Sequence, residues 1–381
     1  MSRLLPLLLL ALSSVPCVAA PVAPQAEAGA AQALVELGRA LFFDRNLSRN
    51  RSQSCASCHD PARAFSDGRE NGVGAAASLG DDGHSIGTRN APSLAYVSQV
   101  PPFGRDAEGH LRGGLFHDGR ASDLVEQAGQ PILNPAEMGM ADAAAVVARV
   151  RENAALVRAF EARFGPHIFS DDQAAFAALR AALAAFERTP EFAAFDSRYD
   201  RWLRGEARLT EAEEEGRRLF FSTLTNCTAC HLAGSTGRES HETFSNQRYF
   251  NIGVPANPVL PAAAQGDAGL AGNPRVADPA QSGRYRVPTL RNVAVTGPYM
   301  HNGVFRDLRT AIFFYNQHLV DNAANRINPE TGTPWGPAEH PATLDATELR
   351  QGQPLGEERI DLLLAFLATL TDARFEALLK K

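Results

Sequence analysis

Four cysteines and two histidines stand in a pattern that few chemistries use. Cys55-Ala56-Ser57-Cys58-His59 and Cys227-Thr228-Ala229-Cys230-His231 are two copies of C-x-x-C-H. Two thiols on one helical turn can form thioethers with the two vinyl groups of a porphyrin, and the adjacent histidine then falls under the iron as proximal ligand. A redox dithiol and a four-cysteine zinc site are the competing uses of such spacing. The zinc reading leaves two identical flanking histidines without a purpose. The dithiol reading needs a βαβ setting, of which the sequence shows no sign. The spacing therefore points to two covalently bound haem c groups, one on Cys55 and Cys58 with His59 on the iron, the other on Cys227 and Cys230 with His231 on the iron.

The flanks of the motifs repeat as well. Gly38-Arg39-Ala40-Leu41-Phe42-Phe43 precedes the first, and Gly216-Arg217-Arg218-Leu219-Phe220-Phe221 precedes the second. The stretch from Gly38 to Cys55 is longer than that from Gly216 to Cys227, so the intervening loops differ. Apolar residues at i, i+3, i+4 spacing predict a closing helix in each half, Asp171 to Arg188 and Glu357 to Thr371. Ala30 to Phe43, Ala141 to Phe164 and Thr210 to Phe221 also read as helices, the last opening on a Thr210/Glu213 capping box. Val254 to Ser282 is rich in Pro, Gly, Ala and Asn and predicts a long surface loop. Long runs of strand periodicity are missing. The expected fold is mainly α: two cytochrome c-like helical haem domains related by internal repeat, at 30–195 and 205–375, with long loops.

Of the 381 residues, 44% are hydrophobic and 21% charged, which excludes a wholly disordered or collagen-like chain. A net charge of −6 argues against nucleic acid as the main partner. Residues 1–19 read as a secretory signal peptide: Arg3, an apolar run from Leu4 to Leu12, then small residues ending at Ala19. Cys17, the fifth cysteine, falls inside it, and Pro16 before it fits lipidation poorly. No later stretch is apolar enough to span a bilayer. The expected destination is the periplasm, an oxidising compartment suited to haem c attachment.

The sequence resembles the bacterial dihaem cytochrome c peroxidases, including the MauG-like enzymes, from about Leu37 to Asp372. The resemblance rests on Leu37-Gly38-Arg39 with Leu41-Phe42-Phe43-Asp44, both haem motifs, Arg89-Asn90-Ala91-Pro92, Asp118-Gly119-Arg120, Pro131 to Glu137, and Pro288-Thr289-Leu290-Arg291-Asn292 running into Thr296-Gly297-Pro298-Tyr299-Met300-His301. It implies that the amino-terminal haem, on His59, meets hydrogen peroxide, and that the carboxy-terminal haem, on His231, relays electrons with two protein ligands. Gln127, Pro131 and Glu137 are then the peroxide pocket, with Glu137 as the acid–base group. Tyr315, counted from Thr296 of the T-x-P motif, matches the second axial ligand, a methionine in the peroxidase branch and a tyrosine in the MauG-like branch. Met300 is the rival, and core packing is the other reading of Tyr315. His84 matches a histidine that caps the peroxidatic iron in inactive members, with a shorter spacing to Arg89-Asn90 than usual. Asn90, Thr296 and Pro298 match the ligands of a calcium ion between the domains.

One position departs from the family: His117 precedes Asp118-Gly119-Arg120 where an inter-haem tryptophan usually stands. Implied partners are hydrogen peroxide and a small cytochrome c or cupredoxin as electron donor, or a protein or small molecule that is oxidised; a homodimer also fits. A dihaem electron carrier without catalysis is the alternative from another class, and Glu137 with its surroundings argues against it.

Overall fold

A computed structural model describes residues 24–232, 239–260 and 266–380; the signal peptide expected over residues 1–19 lies outside them. The chain is mainly helical. The first half contains α1 (Pro24–Phe42), the four-residue haem-turn helix α2 (Cys55–Cys58), α3 (Leu124–Gln127), α4 (Gln130–Leu133), α5 (Ala143–Arg151), α6 (Ala154–Phe164) and α7 (Asp172–Glu187). The second contains α8 (Arg198–Leu203), α9 (Glu211–Phe220), α10 (Leu308–Phe313), α11 (Asn316–Leu319), α12 (Ala346–Leu349) and α13 (Glu357–Ala368). Among the described residues, three two-stranded antiparallel ribbons supplement them: β1 (Gly104–Arg105) with β2 (Leu111–Arg112), β3 (Tyr249–Phe250) with β4 (Tyr285–Arg286), and β5 (Ile327–Asn328) with β6 (Thr333–Pro334).

Local chemistry explains the helix ends. Asp171 caps α7 by accepting from the amides of Gln173 and Ala174, and Thr210 with Glu213 forms the expected capping box on α9. The helix expected over 141–164 is instead two. The chain breaks at Glu152 and Asn153, where the Asn153 side chain accepts from the amides of Ala155 and Leu156 and so starts α6 afresh. In the expected loop, the described residues of 254–282 form short 3-10 turns at Gly269–Gly272 and Pro279–Gln281 and one isolated bridge from Pro255 to Ala338.

The internal repeat is visible as one packing device used twice. α1 packs against α7, and α9 against α13. A Cβ on Gly38 would lie 1.9 Å from the Ala182 carbonyl oxygen, and one on Gly216 would lie 1.8 Å from that of Leu362. Each glycine lets two helix backbones touch. One turn on, Phe42 packs edge-on against Phe186 at 5.4 Å, and Phe220 meets Phe366 at 5.2 Å. Two hydrophobic cores result. One is built from Leu37, Leu41, Phe42, Val146, Leu179 and Phe186, the other from Leu219, Phe220, Phe305, Ile360, Leu363 and Phe366. The chain end crosses back, since Phe375 sits in the first core and the Tyr96 hydroxyl bonds Asp372.

Gly216→Ala is expected to lower stability by about 1–3 kcal/mol through forced helix separation, outweighing the ~1 kcal/mol that alanine gains over glycine within a helix. Gly29→Ala, in α1 with nothing within 4 Å of the added Cβ, is the control. It should be neutral or stabilising in a urea titration of the holoprotein, and equal shifts for the two variants would refute the close-approach argument.

Candidate active site

Both C-x-x-C-H turns open onto one continuous cavity of about 590 Å³, lined among others by Cys55, Cys58 and His59 and by Cys227, Cys230 and His231. The two haem turns share a second device. The His59 Nδ1 lies 3.2 Å from the Phe65 carbonyl oxygen, and the His231 Nδ1 lies 3.0 Å from that of Phe244. Phe65 and Phe244 have φ of 56° and 55°, the left-handed conformation that turns each carbonyl back onto its histidine. With Nδ1–H donating to the carbonyl, the Nε2 lone pair is the one left for a metal. Burial lowers the pKa of both imidazoles, His231 to about 4, so both are neutral and able to ligate.

None of the four motif cysteines is joined in a disulfide, and burial would push each of them, as a thiol, up, Cys58 to about 11 and Cys230 to about 12. They do not converge on one another. Among the described residues, the donor group close enough to share one ion is Asp106, Glu108 and His110, with ligand atoms within 4.8 Å, and it contains no cysteine. The single four-cysteine zinc site is therefore not formed. Paired thiols and an oriented imidazole in each half, opening onto one shared cavity, fit haem c.

In the first half, α3 ends on Gln127, α4 carries Pro131, and the turn after α4 carries Glu137; all three line the cavity. Glu137 is held by its backbone, whose amide donates to the Asn134 carbonyl at 3.0 Å and whose carbonyl accepts from the Asp81 amide at 2.7 Å. Desolvation raises its carboxyl above the ordinary carboxylate range, with Arg120 and a hydrogen bond to the Asn134 side chain pulling the other way. Arg120 also lines the cavity, lies 3.6 Å over the Phe116 ring and bonds Asp118 at 3.1 Å. The sequence marked Arg120 only as part of a motif; its effect on Glu137 emerges from the fold.

His84 stands elsewhere. Its side chain is 80% exposed, its Nε2 is 3.2 Å from Asp82, and it is not among the cavity-lining residues. His117 does line the cavity. Its Nε2 lies 2.9 Å from the Asn90 carbonyl oxygen, and burial with the nearby Arg89 lowers its pKa to about 3, so it is a neutral, fixed imidazole. Trp202 and Trp335 pack on the second core and do not line the cavity.

In the second half Tyr315 lines the cavity at the start of α11. Burial raises its phenol pKa, followed by the nearby Cys230 and Cys227, which places the ring beside the second haem turn. Met300 lines the same cavity, and His301 stacks on Tyr285 with centroids 3.7 Å apart and planes at 10°. Asn90, Thr296 and Pro298 also border it. The halves are pinned nearby by Arg89, which bonds Asp118 at 2.7 Å and grips Asp267 with two guanidinium nitrogens; within the second half, buried Arg291 reaches Asp200 at 2.5 and 2.9 Å.

A mainly helical chain with two haem-binding turns on one cavity defines a dihaem cytochrome. Comparison with known proteins narrows the class. Residues 32–208 match the family model described as di-haem cytochrome c peroxidase. The chain is 53% identical over 354 residues to the methylamine utilization protein MauG of Paracoccus denitrificans, covering 92% of this chain and 91% of that protein. It is 33% identical to the cytochrome c peroxidase Ccp of Escherichia coli over 71% of this chain and 50% of that one. Among solved structures, the diheme peroxidase BthA from Burkholderia thailandensis superposes with a TM-score of 0.79 at 35% identity, over 90% of this chain and 87% of that one. A MauG-like protein associated with microbial copper homeostasis gives 0.67 at 34% identity, over 90% and 92% of the two chains. The chain belongs to the dihaem cytochrome c peroxidase/MauG family, and its members' two haems are its cofactors.

Proposed function

We propose that this protein is an exported, periplasmic oxidoreductase that reacts with hydrogen peroxide at the haem held by His59 and passes electrons through the haem held by His231. The observation that supports it most is Glu137, a desolvated carboxyl on the wall of the cavity that also contains His59. Bound haem iron supplies the redox cleavage of the O–O bond and one-electron exchange with a partner. The protein residues do the rest. Cys55 and Cys58 anchor the group, and the Phe65 carbonyl fixes the His59 ring. Glu137, as carboxylate, takes the proton from the near oxygen of peroxide and returns it to the far oxygen, so that water leaves. Gln127 and Pro131 shape the pocket around it, and Arg120 supplies a positive charge that favours the carboxylate form. Tyr315 would supply a phenolate oxygen to the iron of the haem at the His231 site.

An exported protein is consistent with the sequence of residues 1–19, and no helix among the described residues is long and apolar enough to cross a membrane. One calcium ion held by the Asn90 side chain and the carbonyls of Thr296 and Pro298 belongs to the same reading; the Asn90 amide nitrogen already faces the Ala75 and Ala76 carbonyls at 3.3 and 3.4 Å, which leaves its oxygen for a hard cation. The identity to MauG and the tyrosine at 315 favour oxidation of a protein partner over reduction of peroxide at the expense of a small cytochrome c or cupredoxin.

Mass spectrometry and stopped-flow absorbance together test the proposal. The mature protein should carry two haem additions that acid-acetone does not extract, and peroxide should perturb the His59 haem. A single haem would overturn the dihaem assignment, and two haems inert to peroxide would leave the electron-carrier reading standing.

A further inference from the structure

The repeat supplies an internal control on every residue of the cavity wall. Gly38 lies under the Ala182 carbonyl and beside the Phe186 Cβ, and Gly216 lies under the Leu362 carbonyl and beside the Phe366 Cβ. Ala182 therefore corresponds to Leu362 and Phe186 to Phe366, which sets the register of α7 on α13. In that register each helix turns two side chains into the cavity. From α7 they are Leu183 and Glu187; from α13 they are Leu363 and Leu367. Leucine answers leucine at the first position. At the second, a carboxyl group in the His59 half replaces a leucine in the His231 half.

Glu187 is not a surface acid caught at a helix end. It is 4% exposed, and its Oε2 has no hydrogen-bond partner among the described residues. An unpaired buried carboxylate is costly, so such a group holds a proton unless a nearby positive charge, such as that of an oxidised haem, offsets the cost. Burial pushes the Glu187 carboxyl up to about 8, opposed by Arg188. From α2 the facing group is Cys55, whose interaction with Glu187 disappears once the thiol becomes a thioether. On the helices packed against α7, Glu36 of α1 accepts from Gln32, Arg39 of α1 pairs with Glu191, Glu126 of α3 with Arg275, and Arg151 of α5 with Asp172. None of these is bound to Glu187.

We propose that Glu187 is the redox-linked proton site of the amino-terminal haem, taking up a proton from solvent when that haem gains an electron and releasing it when the electron leaves. The proposal rests on the reading that both turns carry haem. One electron enters the cavity, one proton forms an O–H bond on the carboxylate, and the added negative charge is compensated locally where the dielectric is low. Leu367 offers no such site, so the two haems differ in proton coupling although their attachment turns are alike. The coupling keeps the charge of the peroxide-binding half constant as electrons arrive.

Redox titration of the holoprotein without peroxide tests this independently of the peroxidase reading. Between pH 6 and 9 the midpoint of the His59 haem should fall with rising pH by up to about 59 mV per unit, the equivalent of a tenfold change for one electron. The His231 haem should lack this dependence. Glu187→Gln should remove the slope from the first haem alone, Glu187→Leu should make the halves alike, and Glu187→Asp should keep the slope with its inflection moved. Haem absorbance per chain checks loading of each variant. A slope that survives in fully loaded Glu187→Gln overturns the assignment. If the Gln and Leu variants fail to load, Glu187→Asp decides: an inflection that stays where it was in the wild type places the proton elsewhere.

Discussion

Glu137→Gln is expected to keep both haems attached and to slow the reaction with peroxide by about 10²–10⁴-fold, the usual cost of removing a positioned acid–base group. The amide has nearly the volume of the carboxyl, and the position is held by backbone bonds to Asn134 and Asp81 that do not involve the changed atoms. Folding should therefore be unaffected. The amide cannot accept the proton from peroxide, so the loss should appear in the first chemical step. A pH signature accompanies it. Glu137 acts as a base and must be ionised, so the wild-type rate should rise with pH through the carboxyl pKa. Desolvation places that inflection above the ordinary carboxylate range. In Glu137→Gln the inflection should vanish together with the rate. Arg120→Leu removes the charge that favours the carboxylate and should move the inflection further up while both haems stay attached. Stopped-flow spectra of the first haem measure all three, and an unchanged rate in Glu137→Gln would remove this residue from the site.

Much of this arrangement was legible in the chain because it depends on local spacing. The C-x-x-C-H turns specify thiol and imidazole geometry within one short motif, and the G-R-x-L-F-F repeats carry the contact glycines in the sequence itself. Even the capping box at Thr210 and Glu213 is a local signal. What could not be read was whatever depends on tertiary distance. The paired roles of Phe65 and Phe244 lie in backbone carbonyls, which leave no side-chain signature in the sequence, and the loops that bring them back differ in length. Arg120 was visible as a motif residue, but its influence on Glu137 exists only because the chain folds α3 and α4 around the same cavity. His84 shows the limit of a matched histidine. A sequence position carries no orientation, and in the fold Asp82 holds that ring at the surface. The single helix expected over 141–164 failed for a related reason: apolar periodicity continues through Asn153, and the side-chain cap that interrupts it is a choice between two hydrogen-bonding partners.

The His117 position also changes meaning in three dimensions. Its ring is fixed to the Asn90 carbonyl and neutral, between groups that bind the two halves together. Imidazole is a poorer hole carrier than indole, so electron transfer through this position would be weaker than through a tryptophan.

Tyr315 carries the other large expectation, a change of axial ligand at the second haem. The phenol lies beside Cys227 and Cys230, and burial above all raises its pKa as a free side chain. Ferric iron is the charge that would reverse this shift, since a cation at bonding distance favours phenolate over phenol. Phenolate in turn favours the oxidised iron, so the second haem should have a low potential for a c-type haem and no near-infrared methionine–iron band. Tyr315→Met should raise that potential, by on the order of 0.1 V within the ~0.8 V that axial ligands span. Tyr315→Phe should remove the ligand and produce a five-coordinate or newly ligated spectrum at the second haem only. Met300→Leu is the necessary companion, because Met300 borders the same cavity. Magnetic circular dichroism and potentiometry of the three variants separate the assignments. If Met300→Leu alters the second haem and Tyr315→Phe leaves it unchanged, the phenolate assignment is wrong, and the preference for oxidation of a protein partner loses its chemical basis at this site.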